Sequence, residues 1–145
     1  FLIAAPHDAR LASLAVQRPD TPYPELDPAL LGDEPFLMVS PGQRIRQITD
    51  RVLAEAGVKP NILLTSRNYE LLRRLTSEGM GCMLLPSRYV GLLGGEHYQP
   101  AYYMIPSKYR AWWALSVVRL REAYLSRAAE AFLTSFKEHL SKDAP

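Results

Sequence analysis

The sequence predicts an α/β domain with a central sheet flanked by helices, and three observations predict it. The stretch Asn61 to Pro86, NILLTSRNYELLRRLTSEGMGCMLLP, reads as strand, helix, strand: an apolar run at Ile62 to Leu64, apolar positions Leu71, Leu72 and Leu75 at helical spacing, then Cys82 to Leu85 closed by Pro86. Phe36 to Thr65 is a second unit of the same kind and shares its last strand with the first. Strands joined through a helix lie parallel, and open parallel sheets place ligands at the carboxyl ends of their strands, beside helix N-termini. Finally, 145 residues, 48% of them hydrophobic, suffice for one ordinary core and are short for two.

Taken in order, Phe1 to Ala5 form a strand stopped by Pro6, followed by a turn and a short helical or irregular piece to Ala15. Pro19, Pro22, Pro24, Pro28 and Pro35 fix backbone angles and remove donors, so Val16 to Pro35 is a surface connection with one helical turn near Leu30 and Leu31. Phe36 to Val39 is the second strand. Ser40 is placed as an N-cap and Pro41 at the first helical position of a helix whose apolar residues Ile45, Ile48, Val52, Leu53 and Ala56 repeat every 3.6 residues, with Arg44, Arg46, Gln47 and Asp50 on the surface. Gly57 ends that helix, and Gly79 ends the next. Ser87 to Val90 read as one turn of helix, Gly91 to Gly95 as a loop, and Tyr98 to Ile105 as a strand. Trp112 to Leu120, WWALSVVRL, reads as a further β-rich run, and Ser126 caps a closing helix bearing Ala129, Phe132, Leu133, Phe136 and Leu140.

Composition excludes several classes. A net charge of +2 with 22% charged residues supplies no strong field for nucleic acid or an anionic membrane. The one cysteine, Cys82, sits inside an apolar strand, which excludes an internal disulfide and a cysteine metal site and makes it a buried structural thiol. No apolar run approaches the roughly twenty residues of a membrane span, and no leader precedes Phe1, so a soluble cytoplasmic protein is expected. An apolar run already under way at Phe1 suggests part of something longer. His7, His97 and His139 lack a second ligand at metal spacing, no nucleophile-elbow motif is present, and Gly79-Met80-Gly81 lacks the lysine and hydroxyl of a phosphate loop. No metal, cofactor or catalytic residue is expected.

The ordered series Glu34-Pro35-Phe36, Ser40 to Gly42, Ala56-Gly57 with Pro60, and Gly79 with Gly81, Leu85 and Pro86 resembles the second half of the effector-binding domain of LysR-type transcriptional regulators. FLIAAPHDARLASLA is similar to the strand after the first hinge crossing, with Ala9-Arg10-Leu11-Ala12 in place of the usual His-Pro-Leu-Ala. LSRAAEAFLTSF is similar to the closing helix. The resemblance implies a type 2 periplasmic-binding-protein-like fold: residues 1–122 mainly the second α/β subdomain, and residues 123–145 a helix and tail belonging to the first. The winged helix-turn-helix and the first half of the effector domain have no counterpart here, so DNA binding belongs to a domain outside this chain.

The candidate effector face joins Ser40, Gly42 and Gln43 to Thr65, Ser66, Arg67 and Asn68. Both groups lie at strand-to-helix turns, where free backbone N–H groups and the positive helix end attract a carboxylate or another acceptor. The plainer alternative is that Ser40 and Ser66 only cap their own helices. Arg44 or Arg67 could pair with a carboxylate, or be solvated helix-face residues. Tyr102, Tyr103, Trp112 and Trp113 could line a pocket, or serve core and interface. Exposed Phe132 and Phe136 would drive self-association, and the family's antiparallel dimers imply a homodimer or tetramer. The resulting expectation is a metabolite-sensing domain that biases DNA-binding domains by linkage. Its rivals are a transporter's solute-binding protein of the same fold, which needs an export leader, and a dehydratase or transferase, for which no acid–base constellation is present.

Overall fold

The computed structural model describes residues 1–92, 99–114, 116–118, 120 and 124–142, and it divides into two units, Phe1–Trp113 and Ala114–Pro145. The first unit is built on five strands. These are β1 (Leu2–Ala5), β2 (Pro35–Val39), β3 (Asn61–Ser66), β4 (Met83–Leu85) and β5 (Ala101–Met104). Between them lie α1 (Ala9–Leu14), α2 (Arg44–Glu55), α3 (Tyr69–Ser77) and α4 (Tyr89–Leu92), with 3₁₀ turns at Pro28–Leu31 and Ser107–Tyr109.

β2 and β3 pair in parallel, as the shared-strand reading requires. β4 and β5 both pair with β1, antiparallel to it, so the sheet is mixed. The two sheets meet just before β4: Leu37 N donates to Cys82 O and Cys82 N to Pro35 O, each at 2.8 Å, making a parallel bridge between Phe36 and Cys82. The spatial order is therefore β3-β2-β4-β1-β5. The free edge of β5 is covered by the proline-rich connection, where Leu26 N donates to Met104 O (2.9 Å) and Met104 N to Pro24 O (2.8 Å).

Alternation along the strands divides the core by face. Ile3, Phe36, Met38, Cys82, Leu84 and Tyr103 pack with Ile48, Val52 and Leu53 of α2 and with Leu11 of α1. Leu2, Ala4, Leu37, Val39, Met83, Leu85 and Tyr102 pack on the other side with Leu72 of α3. Chain direction explains the division. The step from β2 to β3 moves outward and the step from β3 to β4 moves back across β2, so connections of one hand must place α2 and α3 on opposite faces. Both helices end as their glycines suggest. Val58 N bonds Leu53 O (2.8 Å) and Met80 N bonds Leu75 O (3.0 Å), the closing bond of a Schellman cap around Gly57 and Gly79.

Three expectations are corrected. α2 begins at Arg44 with Gln43 at the N-cap, not at Pro41 behind Ser40, because Gly42 takes a left-handed turn (φ +87°) and delays helix entry. The described residues between 112 and 120 carry no strand; Trp113 packs instead against Phe1, ring centroids 5.4 Å apart and edge to face. The expected strand from Tyr98 is shorter, beginning at Ala101, and Tyr98 lies outside the described residues, as do Leu93 to His97. In the second unit α5 spans Arg127–Lys142. Ser126 caps it through Ala129 N (3.2 Å), and the Phe132 and Phe136 rings stack 5.8 Å apart. Among the described residues no helix is long and apolar enough to cross a membrane.

Candidate functional site

The turns leaving β2 and β3 are adjacent because their strands are. Val39 pairs with Ser66 in the last register position, and one bond further Ser40 N donates to Ser66 O at 3.0 Å. Past that bond the two chains part, one into α2 above the sheet and the other into α3 below it. A crevice outside the carboxyl ends of adjacent parallel strands, where the connections diverge to opposite faces, is where open α/β sheets bind ligands. The seven candidate residues all fall on this junction. Ser40, Gln43 and Ser66 are half-buried, whereas Gly42, Thr65, Arg67 and Asn68 are exposed.

The two helix entries differ. At α3, Asn68 is the cap: its Oδ1 accepts from Leu71 N at 3.1 Å, and Ser66 Oγ accepts from Asn68 N at 3.1 Å. The capping reading weighed for Ser66 is thus corrected: Asn68 caps the helix, and the Ser66 hydroxyl only braces the cap residue. At α2 no side chain caps the first turn. Ser40 does not cap it, and the amides that open α2 remain available to an acceptor. Arg44 donates to Gln47 Oε1 (3.1 Å) on its own helix.

Two further side chains shape the junction and were not singled out from sequence. Arg46, read as surface filler, donates to Val39 O (3.1 Å) and pairs with Asp50 (2.8 Å), pinning the last carbonyl of β2 to α2. Tyr69, the first residue of α3, packs its ring 5.4 Å from that of Tyr89. Its hydroxyl is buried with no hydrogen-bond partner, and burial, reinforced by Tyr89, pushes its pKa well above the usual phenol value. A polar residue directly after an N-cap carries no signal of burial, so periodicity gave no warning of it.

The remaining candidates lie elsewhere. His7 is exposed at the opposite end of β1, its Nε2 2.8 Å from Gln99 O; His139 lies on α5, and His97 lies outside the described residues. Among the described residues no three His, Cys, Asp or Glu side chains are grouped to hold a metal. Tyr102 and Tyr103 are buried in the core, on opposite faces of β5, while Trp112 is exposed. An open depression of about 500 Å³ lined by His7, Asp8, Ala12, Pro24 and Tyr103 also lies at that far end, remote from the two turns.

Comparison with known proteins gives one family and a consistent set of structures. The family described as LysR substrate binding domain matches residues 3–141. The regulatory domain of CcmR from Synechocystis PCC6803, solved in complex with 2-PG, is similar with a TM-score of 0.66 at 18% identity, over 92% of this chain and 59% of that one. HinK, a LysR family transcriptional regulator from Pseudomonas aeruginosa, gives 0.66 at 21% identity, over 99% and 45%. The effector binding domain of QuiR in complex with shikimate gives 0.59 at 19% identity, over 92% and 56%. The chain thus spans about half the length of these structures, and at such identities they speak to the fold. No curated protein sequence matches significantly.

Proposed function

The chain belongs to the LysR substrate-binding-domain family, and from that premise we propose that it is the ligand-sensing part of a LysR-type transcriptional regulator, its joined turns Ser40–Gln43 and Thr65–Asn68 forming one wall of the effector cleft. The observation that carries this reading is the Ser40 to Ser66 bond at the point where α2 and α3 diverge. It holds an uncapped helix entry and the side chains of Gln43, Thr65 and Arg67 within one short surface.

An effector bearing a carboxylate or phosphate suits that surface. Free amides and the positive end of α2 favour an anion, and the Arg67 guanidinium adds a planar donor pair. The neighbours solved with 2-PG and with shikimate support the class of ligand, not its identity. Regulation follows as linkage: an effector that binds one arrangement of the whole regulator more tightly shifts the population toward it. DNA contact then belongs to a domain outside these residues, the protein acts in the cytoplasm as a homo-oligomer, and no step of catalysis is assigned to it.

The test uses the full-length regulator and a panel of small carboxylates and phosphates followed by calorimetry. For whichever compound binds, Gln43→Ala and Arg67→Ala each weaken binding by about ten- to a hundredfold, the range for loss of a hydrogen bond to a charged group. Neither alters thermal unfolding. Unchanged affinity in both variants would remove this wall from the cleft.

A further inference from the structure

α2 touches two places that the fold otherwise keeps apart. Its first turn belongs to the junction described above. Arg51, two helical turns further on, reaches the segment by which the chain leaves the first unit at Trp113. Its Nη1 donates to Tyr109 O at 3.0 Å and its Nη2 to Arg110 O at 2.8 Å, while Nη1 also meets Glu55 Oε1 at 3.1 Å. A guanidinium is a rigid planar fork, and it can grip two successive carbonyls only if both turn toward it. Arg110 adopts a left-handed conformation, φ +45°, unusual for a residue with a side chain.

Other contacts hold the same segment. The Tyr109 hydroxyl and Lys108 Nζ both donate to Asp27, which itself caps the 3₁₀ turn at Pro28 through Ala29 N. The Phe1 backbone nitrogen donates to Ala111 O at 2.8 Å. Arg110 N bonds Ser107 O (3.0 Å) and Trp112 N bonds Arg110 O (2.8 Å). Of these ties only Arg51 comes from α2, the helix that begins at the candidate effector wall.

We propose that Arg51 is a positioning residue that fixes the backbone conformation of the segment from Tyr109 to Trp113 and ties that segment to α2. Arg51 lies about 10 Å along the helix from the α2 entry, so one helix carries both the junction and the clamp. The description of that entry as an effector wall rests on the proposed function; the clamp itself does not.

Both tryptophans of the chain, Trp112 and Trp113, lie in the exit segment, which makes fluorescence a local probe. In a Trp112→Phe background, Trp113 packed against Phe1 is the one tryptophan left in these residues. Arg51→Gln shifts its emission to the red and raises its quenching by acrylamide. The same variant speeds hydrogen exchange at the Arg110 and Trp112 amides by about tenfold or more, the factor that loss of one charge-assisted hydrogen bond corresponds to. The amides of Leu37 and Cys82, which join the two sheets, keep their protection. Arg51→Lys, able to hold one carbonyl but not two, falls between, and Glu55→Gln behaves as the parent. Unchanged emission and exchange in Arg51→Gln overturn the proposal. So does equal loss of protection at Leu37 and Cys82, which would make Arg51 a general stabiliser. These readings use the chain without ligand, so their failure leaves the effector proposal standing, and failure of the effector proposal leaves the clamp standing.

Discussion

The Ser40 amide donates to the Ser66 carbonyl across 3.0 Å, one step past the last paired residues of β2 and β3. The bond makes the two turns an extension of the sheet rather than two independent loops. It also uses one donor and one acceptor of the junction, which leaves the amides that open α2 and the side chains of Ser40, Gln43, Thr65 and Arg67 for the recognition proposed above.

Asn68 sits on this surface and also caps α3, and its two roles can be separated. Asn68→Ala leaves Leu71 N without its acceptor and lowers stability by about 1 kcal/mol, as for other caps. Asn68→Ser keeps an acceptor at the same place and restores most of it. Urea unfolding of the two variants is the check; equal midpoints for Ala and Ser would mean that the cap contributes nothing. Ligand affinity measured only in the Ala variant would confuse capping with binding.

Arg73 is almost fully buried, 1% exposed, and Glu70 receives it through two bonds of 2.9 Å while also accepting from Arg74 at 2.8 Å. The hydrogen bonds from Arg73, opposed by burial and helped by Arg74, hold the Glu70 carboxyl below its ordinary pKa. A carboxyl with a depressed folded pKa adds stability that is complete above the unfolded value, about 4.3, and fades as pH falls through the folded one. Glu70→Gln therefore costs about 1–2 kcal/mol at pH 7, discounted for the partial exposure of Glu70, and the difference from the parent shrinks below pH 4. Unfolding in urea across pH 3–7 measures this. A difference that stays constant with pH would show that the charge of Glu70 is irrelevant.

Much of this structure was legible in the sequence, and the failures share a cause. The strands at 36–39, 62–64 and 83–85, the period of α2, the Gly57 and Gly79 stops and the Ser126 cap depend on local chemistry and were all readable. What was misread depends on partners distant in the chain. WWALSVVRL has strong β propensity, but that propensity expresses packing against neighbouring strands, and Trp113 found Phe1 instead. The antiparallel role of β1 follows from its pairing with β4 and β5, some eighty to a hundred residues away. Arg73 is buried because Glu70 partners it, and the helical period of Leu71, Leu72 and Leu75 carries no sign of that pairing. The junction was found from the turn residues; its asymmetry, one entry capped and the other open, needed the delay that Gly42 introduces.

Cys82 is fully buried beside β2, and burial pushes its thiol up to about 12. A thiol held protonated and out of reach cannot attack a disulfide reagent at pH 8. Its modification in the native protein proceeds only through opening, and so runs about a thousandfold or more slower than in urea, in line with the usual unfolded fraction. Labelling with an aromatic disulfide, followed spectrophotometrically with and without denaturant, gives the ratio. Comparable rates would mean that the bridge between the two sheets opens readily.

Gly81 is a position where the sheet tolerates no side chain. A Cβ built there would stand 2.5 Å from Pro35 O and 3.0 Å from Pro35 C, both backbone atoms, at a φ of +154°. Pro35 O is also the acceptor of the Cys82 amide, so an added methyl presses on one of the two bonds that join β2 to the strand entering β4. Relief requires that strand to move away from β2, which separates the sheets at their seam and exposes Phe36 and Leu37. Gly81→Ala is expected to cost about 2–4 kcal/mol, placing it in the destructive tail of single substitutions. Gly32→Ala is the control: its Cβ meets nothing within 4 Å and its φ of −56° suits any residue, so its effect stays within about 0.5 kcal/mol. Urea midpoints for the pair settle the matter, and a Gly81→Ala protein as stable as Gly32→Ala would mean that the seam is looser than its 2.8 Å bonds imply.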